Sequence, residues 1–325
     1  MARVFITGAT GFLGLNLMEC LAEKDWDVTA LYRPGADLTR LNKFPVTLVE
    51  GDITDPASLS RAMPKDIDYV FHVAADTSVV RKYRARQKTV NVDGARNVIT
   101  AALNAGARRL IHTSSASTYG GHKDMIDETA PQTGRWSPIH YTRTKSEAEK
   151  AVRTAAECGL DAVICNPGHI LGRYDLTGWA QIFMHVKNGT LPGIPPGSGS
   201  FAHAKEVAKA HIAAAESGKS GENYFLGGPH MSFAALAREI SRLLKIDMPV
   251  TTTPGFLIRL GAWLGESRAL LTGKEPSLSL DAARFVCQHH VICSKKAERV
   301  LGYQPPPIKT ALIDCYRWLA ERGLI

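Results

Sequence analysis

Apolar residues follow two alternating patterns through the first half of the chain. Short runs that are apolar on both faces, such as 69–73, are typical of strands in a parallel sheet that helices cover. Between them lie segments with an apolar residue every three or four positions, which predict helices. The predicted strands are 3–7, 27–32, 46–50, 69–73, 108–113 and 161–166. The predicted helices are 13–24, 56–63, 88–105 and 139–158. This alternation predicts an α/β fold with a doubly wound parallel sheet.

The pattern changes after residue 166. Residues 172–202 are rich in loop-forming residues, and 189–199 are interpreted as a flexible segment over a site. A helix is predicted at 203–217, and the apolar run 223–226 is expected to return to the sheet. The rest of the chain is expected to be mostly helical.

The first predicted strand leads directly into the sequence Thr7-Gly8-Ala9-Thr10-Gly11-Phe12-Leu13-Gly14. Gly8 permits a tight turn, Gly11 lets the backbone approach a phosphate, and Gly14 lets the following helix pack close to the strand. The amides of the first helical turn then point at an anion, where the helix dipole favours negative charge. The turn therefore predicts a site for the pyrophosphate of a dinucleotide in a Rossmann-type domain.

The glycine turn and the later change of pattern together predict two units. Residues 1–166 form the dinucleotide-binding domain, to which 203–227 return, and residues 167–202 and 228–325 form a smaller substrate-binding lobe. Open α/β sheets bind ligands at the carboxyl ends of their strands, so we expect the lobe to cover that edge.

Three side chains could carry proton chemistry near that edge. Tyr141 and Lys145 are four residues apart in a predicted helix, which places the phenol and the ammonium on one face. A nearby cation favours the phenolate, so Lys145 is expected to lower the pKa of Tyr141 from its usual value of about 10. Ser115 follows a predicted strand and could bond a substrate carbonyl that Tyr141 protonates. Each feature alone is common, as a helix-surface pair or a loop hydroxyl, and only the combination is specific.

Composition limits the class of protein. The chain has 325 residues, 45% of them hydrophobic, which suffices for a large core. A strand that starts at residue 3 leaves no room for a secretory leader, and the six cysteines show no C-x-x-C pair and no metal-ligand spacing. We therefore expect a cytoplasmic protein without a metal site. The formal charge of +8 suits an anionic dinucleotide, and the basic run 81–88 favours a solvated helix face over nucleic-acid binding.

The longest apolar stretch, 256–271, contains Arg259, Glu266 and Arg268 and is not predicted to span a membrane. The favoured interpretation is an amphipathic helix that covers an apolar pocket or joins the core. Contact with a membrane surface is the alternative.

The chain resembles the extended short-chain dehydrogenase/reductase family, whose members include NAD-dependent epimerases and dehydratases. The likeness extends over essentially the whole chain, and within the family the dihydroflavonol-reductase-like branch, including bacterial members labelled hopanoid-associated epimerases, is most similar. The motifs that carry it lie at 7–14, 52–53, 72–76, 91–94, 114–120, 141–145, 166–168, 272–276 and 294–303.

The resemblance implies roles for named residues. Ser115, Tyr141 and Lys145 become the catalytic triad, and Lys145 would also hold the nicotinamide ribose. Asn91 is interpreted as a structural support for the active-site strand rather than a reactant. The implied cofactor-binding residues are Gly8, Thr10, Gly11, Phe12, Leu13, Gly14, Arg33, Arg40, Asp52, Ile53, Ala74, Ala75, Tyr141, Lys145, Pro167, Gly168 and His169.

The preference between the two nicotinamide dinucleotides depends on the end of the second strand. NAD-binding folds usually carry Asp or Glu there, which bonds the ribose 2′-hydroxyl and repels a 2′-phosphate. Here the strand ends in Tyr32-Arg33, and a guanidinium suits a phosphate. Arg40 matches a basic position that some reductases of the family use for the same group. These residues favour NADP(H), with NAD(H) left open.

Two departures from the family bear on the reaction. Sugar-nucleotide dehydratases carry an Asp-Glu pair after the residue that matches Ser115, where this chain has Ala116-Ser117. Sugar-nucleotide members also tend to have an arginine that binds a diphosphate, and the matching residue is Gly199. Both departures disfavour a sugar-nucleotide substrate, although Arg173 could still contact an anion.

We therefore expect an NADP(H)-dependent reductase of an apolar ketone or aldehyde. An epimerase of a sugar or sugar nucleotide is the alternative, and a non-catalytic NADP(H) redox sensor is a third possibility. A homodimer through the helices near 88–105 and 139–158 is expected from the habit of the family. The candidate substrate residues are Asp76, Trp136, Arg173, Trp179 and Phe183, and the expected pocket wall adds His140, Met184 and Ile194.

Overall fold

The computed structural model describes residues 1–191, 193–248, 250–272, 274–276 and 278–325, with the side chains of Leu270 and Leu271 also left undescribed. Two predictions fall partly outside this range, because the segment 189–199 includes Pro192 and the motif 272–276 includes Gly273. Seven strands form the main sheet: β1 (Ala2–Thr7), β2 (Trp26–Tyr32), β3 (Thr47–Glu50), β4 (Tyr69–His72), β5 (Arg109–Thr113), β7 (Ala162–Pro167) and β10 (Asn223–Leu226).

The main sheet is parallel, with the strand order β10-β7-β5-β4-β1-β2-β3. All six predicted strands form, and the run 223–226 returns to the sheet as expected. The helices are α1 (Phe12–Ala22), α2 (Pro56–Ala62), α3 (Arg84–Lys88), α4 (Gly94–Asn104), α5 (His140–Glu157), α6 (Gln181–Lys187), α7 (Ala204–Ser217), α8 (Phe233–Leu244), α9 (Gly255–Thr272), α10 (Leu280–Val286), α11 (Lys295–Leu301) and α12 (Ile308–Glu321).

Both faces of the sheet are buried, which explains the apolar runs without alternation. In β1, Val4 and Ile6 join an apolar cluster with residues of α1, α7 and α11. Phe5, between them, joins the cluster on the other face, which α2, α4 and α5 complete. The predicted doubly wound sheet is thus confirmed, because period-2 side chains on a doubly covered strand must be apolar in both directions.

The predicted helix 88–105 is interrupted. Its first residue, Lys88, is the last residue of α3, which starts earlier than predicted; Thr89–Asp93 form a π-helical turn, and α4 follows. Such turns are rare and frequently lie at functional sites. This one contains Asn91, whose side chain reaches the loop after β4.

The second half is helical as expected, but the chain also contains short strands that the sequence did not predict, one of them before residue 166. They are β6 (His122–Ile126), β8 (His169–Leu171), β9 (Ser198–His203), β11 (His230–Ser232) and β12 (His289–Ile292). A second sheet has the order β11-β9-β12-β6, and β8 pairs with β9. β9 has the sequence Ser-Gly-Ser-Phe-Ala-His and is buried throughout, so it shows neither an apolar run nor an alternation.

A third apolar cluster lies in the second half of the chain. It joins α6, α8 and α12 to β8 and β9, with Phe183, Phe201 and Phe233 among its buried rings. Among the described residues, no helix combines the length and apolarity needed to cross a membrane.

Candidate active site

A cleft of about 870 Å³ lies along the carboxyl edge of the main sheet. Residues at or just beyond the ends of β1, β2, β3, β4, β5 and β7 line it, and α10 closes part of one side. Parallel strands deliver their carboxyl ends to one edge, so loops far apart in sequence meet there. Residues within 168–170, 175–181 and 282–286 of the second half of the chain also contribute to the lining.

The glycine turn at the start of α1 has the form that a pyrophosphate requires. Gly8 has φ +78°, and a Cβ there would lie 2.5 Å from the amide nitrogen of Ala74. A Cβ on Gly14 would lie 2.0 Å from the carbonyl oxygen of Gly8, so only glycine lets the helix pack this closely. By contrast, a Cβ on Gly11 would contact only the carbonyl oxygen of Gly8, at 3.3 Å. Because Gly11 lines the cleft, that Cβ would take up space that a ligand could use.

The N-terminus of α1 is available to an anion. Among the described residues no side chain caps Gly11, and the first turn carries no acidic residue. The first-turn amides and the helix dipole therefore favour a phosphate at this position. The turn fits the dinucleotide that the sequence predicts.

Every sequence-predicted cofactor residue except Arg40 lines the cleft. Arg33 follows β2 and is exposed at the cleft. Arg40 lies instead with its guanidinium 5.6 Å from the ring centroid of Trp318 in α12, a cation–π contact outside the lining. The sequence could not distinguish these two arginines, because the loop after β2 carries Arg40 away towards the C-terminal helix.

The three residues of the implied catalytic triad also line the cleft. Ser115 lies two residues beyond β5, and its hydroxyl bonds the Ser117 hydroxyl at 2.9 Å. Tyr141 and Lys145 lie in the first turns of α5, as their spacing predicts. The buried Lys145 ammonium donates a hydrogen bond to the Thr113 carbonyl oxygen at 2.6 Å, which ties α5 to the end of β5.

The phenol of Tyr141 is kept neutral. Burial raises the pKa of Tyr141, and a hydrogen bond with Ser115 opposes that rise. This differs from the expectation that Lys145 lowers it. Burial also lowers the pKa of Lys145 to about 8, while the Glu149 carboxylate raises it. Because a neutral phenol is a proton donor, the free protein presents an acid rather than a base at this point of the cleft.

The buried carboxylate of Glu149 holds the loop around Ser115 through hydrogen bonds. Glu149, one turn beyond Lys145, accepts hydrogen bonds from Ser114 at 2.5 Å, Thr118 at 3.1 Å and Asn166 at 2.9 Å. Asn166 in turn donates to the carbonyl oxygen of Ser115 at 3.2 Å, and the single Thr118 hydroxyl proton is shared between that oxygen, at 2.9 Å, and Glu149. The sequence analysis did not single out Glu149, although a glutamate four residues after Lys145 lies on the same helix face. Its network holds the Ser115 loop against α5.

Asn91 supports the site from the other side. Its amide oxygen accepts from the backbone nitrogen of Asp76 at 2.7 Å, and its amide nitrogen donates to the Thr144 hydroxyl at 3.0 Å. It thereby joins the loop after β4 to α5. This position agrees with a structural role, as the sequence analysis interpreted it.

The candidate substrate residues divide into two groups. Asp76 and Trp179 line the cleft. Trp136 is mostly exposed and stacks under Arg135, whereas Phe183 is fully buried in the third apolar cluster. Arg173 pairs with Glu19 at 3.2 Å outside the lining.

The other residues expected in the pocket wall also lie elsewhere. His140 bonds the Gln87 amide oxygen at 2.7 Å, and Ile194 is buried in the third cluster. Met184 lies in α6 outside the lining. Hydropathy predicts that such side chains are buried, but not which cavity they face.

A model of the NAD dependent epimerase/dehydratase family matches residues 4–227. The chain belongs to this family. It is 30% identical over 334 residues to a putative dihydroflavonol 4-reductase from Synechocystis sp., with 99% of this chain and 95% of that protein covered. It is also 30% identical over 346 residues to a 3-beta-hydroxysteroid dehydrogenase from Mycolicibacterium neoaurum, covering 99% and 92%. The crystal structure of gox2253 is similar over 100% of both chains, with 30% identity and a TM-score of 0.88.

These similarities confirm the family resemblance drawn from the motifs. The protein is an NAD(P)-dependent oxidoreductase of the epimerase/dehydratase family, of the extended short-chain dehydrogenase/reductase type.

His169 occupies the space beside Gly199, the residue that the resemblance matches to a diphosphate-binding arginine. A Cβ on Gly199 would lie 2.2 Å from Cδ2 and 2.3 Å from Nε2 of His169, so the imidazole occupies the space that a side chain would need. His169 is buried, and the rings of Trp179 and Phe201 lie 4.6 and 5.2 Å from it. Burial holds the pKa of His169 well below its usual value, so the ring is neutral. His169 and Trp179 therefore contribute neutral aromatic surface to this part of the cleft.

Sequence reasoning missed several cleft residues. The Asp175 carboxylate accepts from the backbone nitrogens of Gly178 and Ala180, at 2.7 and 2.9 Å, and so shapes the loop that carries Trp179 into the cleft. The signal was available, since Asp175 lies three residues before Gly178, and Asp at the first and Gly at the fourth position are typical of a turn. Phe285 of α10 also lines the cleft, with no local motif to mark it.

The basic run 81–88 is only partly a solvated face. The Arg84 guanidinium donates to both carboxylate oxygens of Asp281 at 3.0 Å, which ties α3 to α10. Arg86 lines the cleft and donates to the Asp76 carboxylate at 2.8 Å. Asp281 is far from Arg84 in the sequence, so the basic run alone does not reveal this ion pair.

Proposed function

We propose that the protein reduces the carbonyl group of an apolar ketone or aldehyde with NADP(H), and works in reverse as an alcohol dehydrogenase. The single observation that carries the proposal is the convergence of Ser115, Tyr141 and Lys145 on the wall of one cleft, beside the glycine turn. A reduction needs a proton donor at the carbonyl oxygen, and the protonated phenol of Tyr141 is a side chain of the cleft that can supply one.

Each residue of the triad has a distinct task in this reaction. The Ser115 hydroxyl orients the carbonyl oxygen, and the Tyr141 phenol donates the proton that completes the alcohol. Lys145, held by Thr113, would bond the ribose hydroxyls of the dinucleotide, while the glycine turn binds the pyrophosphate. The bound dinucleotide supplies the hydride.

The preference for NADP(H) is argued from charge. Arg33 is exposed at the cleft beyond β2, where a 2′-phosphate of the adenosine ribose would lie, and its forked guanidinium suits a phosphate. The matching residue of an NAD-selective site would be an acid.

The substrate class is argued from the wall of the cleft. His169, Trp179 and Phe285 present neutral aromatic surface, and this favours an apolar substrate over a charged one. The relatives named for dihydroflavonol and hydroxysteroid chemistry support the same class, because both names denote polycyclic, weakly charged molecules.

The test is a panel of ketones and aldehydes of graded apolarity, assayed with NADPH and with NADH. We expect one NADPH oxidised for each carbonyl lost, with the highest kcat/KM for polycyclic ketones. The alternative, an epimerase, makes the opposite forecast: a nucleotide sugar would be epimerised with no net consumption of the dinucleotide. That result would overturn the proposal.

A further inference from the structure

Helix α9 presents its large apolar side chains to solvent. The exposed fractions are 62% for Phe256, 45% for Leu257, 48% for Leu260, 55% for Trp263 and 54% for Leu264. These positions recur with the spacing of one helical face. We call this set the outer face of α9. It excludes the interpretation favoured from the sequence, in which the helix buries its apolar side over a pocket or in the core.

The inner side of α9 has a different character. Ala262 is 1% exposed, and Glu266, one turn later, accepts a hydrogen bond from the backbone nitrogen of Leu280 at 2.8 Å. Leu280 begins α10, so this hydrogen bond joins the inner side of α9 to α10, on which α9 packs. The single acidic residue in the sequence of α9 is therefore used internally.

The charges at the borders of the outer face are positive. Arg259 and Arg268 are both exposed. Arg259 lies one turn from Phe256 and from Trp263, whereas Arg268 lies one turn beyond Leu264, so the two guanidinium groups flank opposite borders of the face. An apolar centre between basic borders, with the acid turned inward, is complementary to a surface that is apolar beneath and anionic above.

From this arrangement we propose that α9 binds the protein to the surface of a bilayer that contains anionic lipid. The helix lies in the plane of the interface, with its outer face at the boundary of the acyl chains and Arg259 and Arg268 at the level of the phosphates. The net charge of +8 adds a longer-range attraction to the same surface. This proposal does not rest on the proposed reaction.

The position of α9 relates this surface to the cleft. α10, on which α9 packs, contributes Ala282, Phe285 and Val286 to the lining. A bilayer against the outer face therefore lies on the side of the molecule where α10 closes the cleft, separated from it by two helices.

Vesicle flotation of the full chain tests the proposal. We expect the protein to float with vesicles of phosphatidylcholine and phosphatidylglycerol and to float several-fold less when salt screens the headgroups. Equal flotation with pure phosphatidylcholine would overturn the role of the arginines. No flotation with either vesicle would overturn the proposal as a whole.

Variants locate the contact. Trp263→Gln with Leu264→Gln should lower the partition coefficient about a hundredfold, since each large apolar side chain contributes about tenfold. The matched control is Leu103→Gln in α4, which is 55% exposed on another element and should leave flotation unchanged. All variants must keep the thermal midpoint and the NADPH affinity of the parent, which separates lost binding from lost folding.

A second copy of the chain is the competing occupant of the outer face. If the parent is a dimer without lipid and the Trp263/Leu264 variant is a monomer by light scattering, the face is a protein interface and the proposal is overturned. An unchanged oligomeric state together with lost flotation supports the bilayer.

Discussion

At the scale of single residues, burial decides how the site handles protons. The sequence places a phenol and an amine on one helical face, which predicts a phenolate stabilised by a cation. In the structure both groups are desolvated, and desolvation disfavours the charged form of each, so the pKa of Tyr141 rises and that of Lys145 falls. The periodicity of α5 was sufficient to find the pair but not to find its protonation states.

Removal of the Tyr141 hydroxyl tests its proposed role as the proton donor. Tyr141→Phe should lower kcat by about 10²–10⁴-fold, the usual contribution of a positioned acid, while NADPH affinity stays unchanged. Turnover and fluorescence titration of NADPH measure the two effects. Unchanged turnover would show that another group supplies the proton.

Reversal of the charge at Arg33 tests the preference for NADP(H). Arg33→Asp should lower the ratio of kcat/KM for NADPH to that for NADH about tenfold or more, because a charge-assisted bond to phosphate is lost and repulsion is gained. Arg40→Asp is the matched control, since Arg40 stacks on Trp318 away from the cleft. If Arg40→Asp lowered this ratio and Arg33→Asp did not, the contact with the 2′-phosphate would be assigned to Arg40 instead of Arg33.

At the scale of elements, the strand-to-helix junctions carry the site. The turn between β1 and α1 follows from its glycines, because a Cβ at Gly14 would collide with the Gly8 carbonyl at 2.0 Å. Such local rules were readable from the sequence. The short strands of the second sheet were not, because a buried strand of Ser, Gly and His residues stabilised by its neighbours has no pattern of its own.

Addition of one methyl group to α1 tests the close packing of the turn. Gly14→Ala should destabilise the protein by about 1–3 kcal/mol and lower dinucleotide affinity, because the backbone must shift to relieve the overlap. Gly261→Ala, in α9, is the control: it has open space around its Cβ and should stabilise by about 0.5–1 kcal/mol. Thermal unfolding measures both, and equal effects would contradict the geometry.

The Glu149 carboxylate gives α5 an electrostatic role. Its charge raises the pKa of Lys145, so Glu149→Gln should lower that pKa further and shift the alkaline limb of the kcat/KM profile to lower pH. Glu147→Gln, at an exposed position of the same helix, should leave the limb where it is. A loss of activity without a shift of the limb would assign Glu149 a purely structural role.

At the scale of the whole molecule, burial of Lys145 lowers the stability of the folded state at neutral pH. Folding buries Lys145 and lowers its pKa to about 8 from its ordinary value of 10.5. Below pH 8 the folded state must hold a charged ammonium in a desolvated place, at a cost of about 3 kcal/mol. Between the two values the unfolded chain binds more protons, so stability rises with pH through that window.

This linkage predicts a variant that is inactive but more stable. Lys145→Met, without dinucleotide, should unfold at a higher temperature than the parent at pH 7, and the difference should shrink as the pH rises from 8 to 10.5. Thermal melts at several pH values measure it. A difference that is constant with pH would show that packing, and not charge, is responsible.

Two larger-scale predictions stay predictions. They are the division into a dinucleotide-binding domain and a substrate lobe near residue 166, and the homodimer through α4 and α5. The second concerns a contact between two copies of the chain, and the structure describes one copy.

The sequence by itself determined what local rules can express: the alternation of strands and helices, the glycine turn, and the arrival of Ser115, Tyr141 and Lys145 at one edge of a parallel sheet. Tertiary structure decided which of several equivalent residues face the cleft, such as Arg33 and Trp179 rather than Arg40 and Trp136. It also decided the pairing of Arg84 with Asp281, 197 residues away, and the outward direction of the apolar face of α9. The reason is physical. Periodicity reports which side of an element is apolar, whereas the direction of that side depends on where distant elements pack.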